Sequence, residues 1–459
     1  MSAILGRFHL DNSPVDAALF SRGMDALAHY RADRSDVWRE EHIALGCHLR
    51  EFTPESRFEN QPVVHERAVI VADARIDNRT ELFDALGISH PERAEMPDST
   101  LILRTYLQWG EDCAARLTGD FAFAIYDRTR RAVFCARDHV GVRPLYYVHT
   151  PSVFAFASDP AALLAFADQP YPIDEHQVAL YLQDWFILSK EHTFYRGIEK
   201  LSQAAQISVT GQGMTRRVHW TPEPRTPLIL KNPREYGERL RGLIAESIRT
   251  RIRTPYPIGS HFSGGIDSSS ISILAKRIAD QTGGTFAMGY AWSPPISDEN
   301  PEVPGDERLR INQLSQIEGM PVHFILENVD NYRAFFARNI AADSRIDLVF
   351  EKAVLRDAGT RDIRVMLSGS GGDEAATSPG QGYLAELLLH GRFKTLARFF
   401  YHRFRWNIRP MLPLIFQHVM LPVLPDVFFR RFSPVSRERF AEGYINAEFK
   451  RAYGIKKFD

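Results

Sequence analysis

Between Pro257 and Ala279 the chain reads PIGSHFSGGIDSSSISILAKRIA, and the residue types in its middle suit phosphate chemistry. Ser263, Gly264 and Gly265 carry little side chain, so an anion could approach their backbone N–H groups, and Ser268 and Ser269 add hydroxyl donors. If a helix begins here, its first turn has unpaired N–H groups and about half a positive charge, which together make an anion site. Asp267 is the informative exception. A carboxylate beside a phosphate cradle makes sense mainly with a divalent cation between them, and Mg²⁺ is the hard, oxygen-seeking candidate. No Gly-Lys dipeptide occurs anywhere in the chain, so this is not a Walker loop. The plainer alternative is a glycine turn before a serine-capped helix.

The elements that must hold such a loop can be read on either side of it. Ile271, Leu274, Ala275 and Ile278 recur at i, i+3, i+4 and i+7, which predicts a helix with one apolar face packed on a sheet. The residues before Ser263 read as a short strand, so the loop joins a strand end to a helix start. TFAMGYAW at 285–292 is the next predicted strand, and this order indicates a parallel sheet with helices on both faces. Ligand then belongs at the carboxyl ends of the strands.

SGGIDSS resembles the pyrophosphate-binding loop of the ATP-pyrophosphatase families, which cleave ATP between its α- and β-phosphates. A hundred residues later Arg364 to Leu367 reads as a strand running into Ser368-Gly-Ser-Gly-Gly-Asp-Glu374. Together the two stretches resemble the synthetase domain of class B, glutamine-hydrolysing asparagine synthetases and their relatives. The resemblance implies a parallel α/β domain of the adenine nucleotide α-hydrolase type. It implies pyrophosphate bound by Ser263, Gly264, Gly265, Ser268 and Ser269 together with Ser368, Gly369 and Gly372. It also implies Mg²⁺ held by Asp267 and Asp373, with Glu374 beside them in the catalytic set. The implied reaction activates a carboxylate as an acyl adenylate, releasing pyrophosphate, after which an amine displaces AMP.

From Ala3 to about Val218 the pattern changes to short, closely spaced strands: 68–77, 121–127, 132–137, 145–149 and 153–157. That spacing favours antiparallel sheets packed face to face. One predicted helix interrupts them, capped by Asp98, with Ile102, Tyr106 and Trp109 on its apolar face. GDFAFAIYD followed by Arg137-Asp-His-Val-Gly-Val-Arg-Pro-Leu-Tyr-Tyr147 resembles the end of the glutaminase domain of the same synthetases. The implied fold is an N-terminal-nucleophile hydrolase, a four-layer sandwich in which a terminal cysteine attacks glutamine. Here position 2 is Ser2, the family's Asn-Gly-Glu loop reads Asp73-Ala74-Arg75, and its arginine-bearing strand reads CHLREF at 47–52. Asp98 stands where the family has an aspartate for the amino group of glutamine. The expectation is a glutaminase-like domain without glutaminase activity.

The expected organisation is therefore α/β and α+β: a glutaminase-like domain over 1–220, a linker over 221–233 marked by four prolines, and a synthetase-like domain over 234–459. At 459 residues the chain can bury more than one core. A net charge of −1 gives no argument for nucleic acid or an acidic membrane, and three widely spaced cysteines suit a reducing cytoplasm. No signal peptide is read at MSAILGRFHLDN, and Pro413, Pro422 and Pro425 argue against a spanning helix in the apolar stretch 411–429. The acidic segment 293–310 reads as a solvated loop or a lid, 322–327 as a strand, and 330–342 and 350–360 as helical. Between Gly391 and Phe432 eight Lys and Arg stand against Asp426 alone, interleaved with aromatics. A helix burying those rings under its Arg stems is the first reading; nucleic acid or a peptide or carrier substrate are the others.

The chain stops 86 residues after Asp373, where the resemblance implies further helices with a catalytic lysine and a glutamate. Neither is matched, since Lys456 and Lys457 lie in a charged tail, so the domain is expected to be C-terminally short. ADARIDN and the SHFSGG form of the loop look closest to the lasso peptide cyclase and β-lactam synthetase branch, which joins an amine and a carboxylate of one substrate. The expected partners are a small-molecule or peptide substrate, a precursor peptide or a partner protein. The other readings are asparagine synthase, and a nucleotide-binding scaffold without activity.

Overall fold

The computed structural model describes residues 1–167, 169–183, 191–222, 228–303, 305–326, 329, 333, 348–375, 382–404 and 415–424. The chain divides into two compact units, Met1–Asp174 with Ser189–Ser368, and Glu175–Leu188 with Gly369–Asp459.

The first unit opens with two six-stranded antiparallel sheets. One runs β10 (Glu199–Lys200), β8 (Tyr146–His149), β9 (Val153–Ala157), β1 (Ala3–His9), β3 (Ile43–Leu49) and β2 (Arg34–Glu40). The other runs β12 (Gly213–Val218), β11 (Ala205–Thr210), β7 (Ala132–Arg137), β6 (Gly119–Asp127), β5 (Ala68–Ile76) and β4 (Val63–Val64). Side chains alternate across each strand, and that alternation builds the layers. Ile4 joins Val69, Val71, Cys135 and Phe156 in the core between the sheets, whereas Ala3 and Leu5 face Phe20 and Leu163 of the helices Ala17–Ala26 and Pro160–Ala165. On the far side Ile70 and Ala72 pack against Leu101, Ile102 and Tyr106 of the helix Asp98–Trp109. The result is the expected four-layer sandwich of helix, sheet, sheet and helix.

Asp98 does not cap that helix. It is the first helical residue, and its carboxylate is turned inward to the Arg79 guanidinium and the Ile76 N–H, so Pro97 occupies the cap position without a side-chain bond.

The helix Pro233–Arg251, capped by the Asn232 side chain, leads into a parallel sheet of β13 (Ile258–His261), β14 (Phe286–Ala291), β15 (Val322–Phe324) and β16 (Val365–Leu367). The strand order is β15-β14-β13-β16. The helix Ile266–Thr282 covers one face, burying Ala275, Ile278 and Ala279 against Ile258, Phe262 and Phe286. The helix Leu348–Thr360 supplies Val354 and Ala358 to the other, beside Tyr290 and Ile363. β15 ends at Phe324, shorter than the predicted strand. Asp306 caps a helix beginning at Glu307, so the acidic segment gives way to a helix before its predicted end. Of the predicted helix at 330–342, only Arg333 lies within the described residues.

In the second unit the helix Phe393–Phe404 turns Leu396 and Phe400 toward Leu384, Leu387 and Val419, while Phe399 and Tyr401 are exposed. Trp406 and the tail with Lys456 and Lys457 lie outside the described residues, as do Pro224 and Pro227 of the linker. No described helix is long and apolar enough to cross a membrane.

Candidate active site

β13 has β14 on one side and β16 on the other, so the chain reverses its direction of winding beside β13, where open α/β sheets leave a crevice at the strand ends. Both glycine-rich stretches begin there, Ser263 just beyond the end of β13 and Ser368 just beyond the end of β16. Gly264 adopts φ +78°, and a Cβ on it would lie 3.0 Å from the Glu307 carbonyl oxygen and 3.1 Å from Ile311 Cγ1. Only glycine fits that turn without strain. Arg310 Nη1 fixes it by donating to the Gly264 carbonyl at 3.1 Å.

The hydroxyls that follow are partly organised. Ser268 Oγ accepts from the Ser263 N–H at 3.1 Å and lies 2.8 Å from Ser263 Oγ; Ser272 Oγ donates to the Ser268 carbonyl at 2.8 Å. Gly265 is the N-cap of the 17-residue helix and gives it no side-chain cap. Ser269 Oγ is buried without a hydrogen-bond partner. An uncapped helix start, a glycine cradle and an orphaned hydroxyl within one turn are what a phosphate group would satisfy. Asp267 stands in the same first turn. No group of three or more His, Cys, Asp or Glu side chains is preformed for a metal among the described residues. That is compatible with Mg²⁺ held largely by phosphate oxygens and water.

Of the sequence-predicted residues, Ser263, Gly264, Gly265, Asp267, Ser268 and Ser269 fall in this one turn, with Ser368 at the end of the neighbouring strand. Gly369, Gly372, Asp373 and Glu374 belong to the second unit, where Gly372–Ala375 form a single helical turn.

Three residues that the motif did not single out stand at the same strand ends. His261, the last residue of β13, places Nε2 3.2 Å from Glu351 Oε2 and its ring edge-on to Trp292 at 5.0 Å between centroids. Its Nδ1 is buried without a hydrogen-bond partner. The signal available was position alone, since His261 lies two residues before Ser263 and Trp292 just past β14.

The glutamine pocket implied for the N-terminal sheets is closed by its own residues. A cavity of about 10 Å³ is lined by Ser2, Phe52, Glu59, Gln61, Asp98 and Ser99 among others, room for no more than about one water molecule. The Ser2 N–H donates to Asp73 Oδ1 at 3.0 Å, and Ser2 Oγ accepts from the Arg50 N–H at 3.1 Å. Arg50 turns its guanidinium to Asp33 at 3.0 Å, and Arg75 is held between Asp77 and Asp120 at 2.8 and 2.7 Å. Arg50 lines the cavity but spends its charge on Asp33, and Arg75 does not line it. Glu55, Glu59 and Asp98 are all buried. Burial pushes the Glu59 carboxyl up to about 8, and that of Asp98 up to about 6 against the pull of Arg79.

Comparison with known proteins agrees with this geometry. The glutamine amidotransferase domain family matches residues 1–220, and the asparagine synthase family matches residues 239–439. The chain belongs to the asparagine synthetase family.

Among its asparagine synthetase relatives, the glutamine-hydrolysing asparagine synthetase 3 of Bacillus subtilis is 25% identical over 317 residues, 66% of this chain and 50% of that protein. The putative glutamine-hydrolysing asparagine synthetase 2 of Methanocaldococcus jannaschii is 26% identical, over 58% of this chain and 51% of that protein. The chain spans about half the length of the curated relatives it matches. A solved structure of glutamine phosphoribosylpyrophosphate amidotransferase from B. subtilis, complexed with ADP and GMP, aligns over 80% of this chain and 81% of its own. Its TM-score is 0.35 and its identity 11%.

Proposed function

We propose that this asparagine synthetase family member forms an amide bond by ATP-dependent adenylation of a carboxylate, and that the amine comes from its substrate and not from glutamine. The observation that carries the reading is the pair of glycine-rich stretches starting from the carboxyl ends of adjacent parallel strands, β13 and β16. The helix start at Gly265, with the hydroxyls of Ser263, Ser268 and Ser269, would hold the β- and γ-phosphates as they leave, and Ser368, Gly369 and Gly372 are assigned to the same phosphates. Asp267 and Asp373 would hold Mg²⁺, which when bound neutralises charge developing on the phosphates. Glu374 is assigned to the same catalytic set. The substrate carboxylate oxygen bonds to the α-phosphorus while the α–β bridging bond breaks. The amine nitrogen then bonds to the acyl carbon, loses a proton, and AMP departs.

What supports an internal amine is the closed cavity at Ser2 and Asp98, which leaves glutamine no room. Within the family this favours the branch of lasso peptide cyclases and β-lactam synthetases, with a precursor peptide or other amino-carboxylate substrate, in a reducing cytoplasm that suits three buried free cysteines. The second reading, asparagine formation from aspartate, rests on the names of the curated relatives.

Chromatography of the nucleotide products separates the two. AMP and pyrophosphate formed with a peptide encoded beside the gene, and the loss of one water from the peptide's mass, is the expected result. AMP formed with aspartate and ammonia would favour the second reading, and ADP as the product would refute adenylation.

A further inference from the structure

The sandwich of residues 1–218 touches the parallel sheet at the end opposite the glycine-rich loops. Just before β13, Arg253 Nη1 donates to both carboxylate oxygens of Glu55, at 2.7 and 2.5 Å, and Nη2 donates to the Ile76 carbonyl at 3.4 Å. The Tyr256 hydroxyl donates to Glu51 Oε2 at 3.3 Å. Just before β16, Arg364 Nη1 donates to Asp33 Oδ2 and to the Glu51 carbonyl, both at 2.8 Å. Its guanidinium also lies 3.8 Å from the Tyr256 ring centre, close enough for a cation–π contact. Among the described residues, neither β14 nor β15 has a hydrogen bond to residues 1–218. The grip falls on the two strands that carry the loops.

Its socket borders the closed glutamine pocket and is tied to it through Arg79 and Arg50. Glu55, which takes Arg253, also pairs with Arg79 at 3.2 Å, and Arg79 pairs in turn with Asp98. Asp98 and Glu59 line the cavity itself. Three buried carboxylates thus face two guanidinium groups, Arg79 from within the sandwich and Arg253 from outside it. A proton retained on Glu59, whose carboxyl burial pushes up to about 8, balances the charge at neutral pH. Removing one member of such a group would leave an uncompensated charge in a dry place.

We propose that the former amide pocket is filled from within and that its border serves as a socket that fixes the starts of β13 and β16, so that residues 1–218 act as a positioning device for the Ser263 and Ser368 loops. Arg253 and Arg364 are positioning residues. They touch no substrate and act through rigid strands of four and three residues. The inference rests on the adenylation reading for its consequence in catalysis, but the mechanical coupling can be measured without nucleotide.

The test is hydrogen exchange of the full chain, free of nucleotide, for Arg253→Ala, Arg253→Lys and Arg364→Ala. Binding of α,β-methylene-ATP with Mg²⁺ is measured in parallel. Arg253→Ala should speed exchange of amides 262–269 and weaken analogue binding, each about tenfold, while β14 amides 286–291 stay at the native rate. Arg253→Lys, keeping the charge but losing the fork, should recover part of both. Arg364→Ala should act on the amides around Ser368. If Arg253→Ala does not fold, Glu55→Gln, which at constant volume removes the charge and turns one of the two acceptor oxygens on Arg253 into a donor, takes its place. Unchanged exchange at 262–269, or equal acceleration across β14, would overturn the positioning role. A native chain that binds no nucleotide would refute the adenylation reading while leaving the exchange comparison to decide this one.

Discussion

The two pockets of the first unit treat their polar groups in opposite ways. Around Ser2 and Asp98 the buried carboxyl groups meet partners from the chain itself: Asp98 has Arg79 and the Ile76 N–H, Glu59 has the Ser99 hydroxyl, and Asp73 has the Ser2 N–H. At the end of β13 the Gly265 helix start has no side-chain cap, and Ser269 Oγ is buried without a partner. A buried polar group left unpaired is costly, and the Ser269 hydroxyl beside an uncapped helix start is one that a bound phosphate would satisfy, whereas the carboxylates at Ser2 and Asp98 already have partners within the chain. On the reading proposed above, that difference points to the first turn at Gly265, and not to the cavity at Ser2, as the place for a ligand.

The comparison can be broken at either pocket. The largest effect should come from Gly264→Val, which sets a branched side chain against the Glu307 carbonyl at φ +78°. Nucleotide affinity, measured by calorimetry, should fall on the order of a hundredfold, while Asp267→Ala should cost about tenfold and only when Mg²⁺ is present.

A smaller effect is expected at Glu59. Its folded carboxyl titrates near 8, well above its ordinary 4.5, so the native state holds a proton that the unfolded chain releases. That contribution to stability is complete below about 4.5 and is lost as pH rises through 8. Glu59→Gln should therefore unfold a few degrees above the native protein at pH 8.5 and show no such advantage at pH 5, followed by thermal scans across that range. A parallel pair of curves would show that Glu59 is ionised in the folded chain. The smallest effect is none at all. Ser2→Ala should leave glutamate release from glutamine at the background rate of the native protein, and a loss of turnover would reopen the pocket at Ser2.

Much of the frame was legible because its signals are local. The short, closely spaced strand-type runs at 68–77 and 121–127 gave strands within a residue or two of β5 and β6, and the i, i+3, i+4 pattern from Ile271 gave the helix that carries the loop. Asp98 misled for a tertiary reason: a residue of good capping type was claimed by Arg79, nineteen positions away. The start of the helix at Glu307 was hidden inside an acidic, proline-rich segment, where Asp306 was read as charge and not as a cap. His261 with Glu351, and Arg253 with Glu55, were beyond reach, because each pair joins elements that only the finished topology brings together.

One of those long-range contacts bears on kinetics. Arg364 and Asp33 are 331 positions apart in sequence, so in an unfolded chain bringing them together carries a large loop-closure cost with little local structure to offset it. A contact of that kind forms after both halves have their own cores, late on the path and beyond the rate-limiting barrier. Its strength then acts on the way out and not on the way in. Arg364→Ala should raise the unfolding rate in denaturant while leaving the refolding rate nearly unchanged, so that the socket makes the assembled chain slow to come apart rather than quick to assemble.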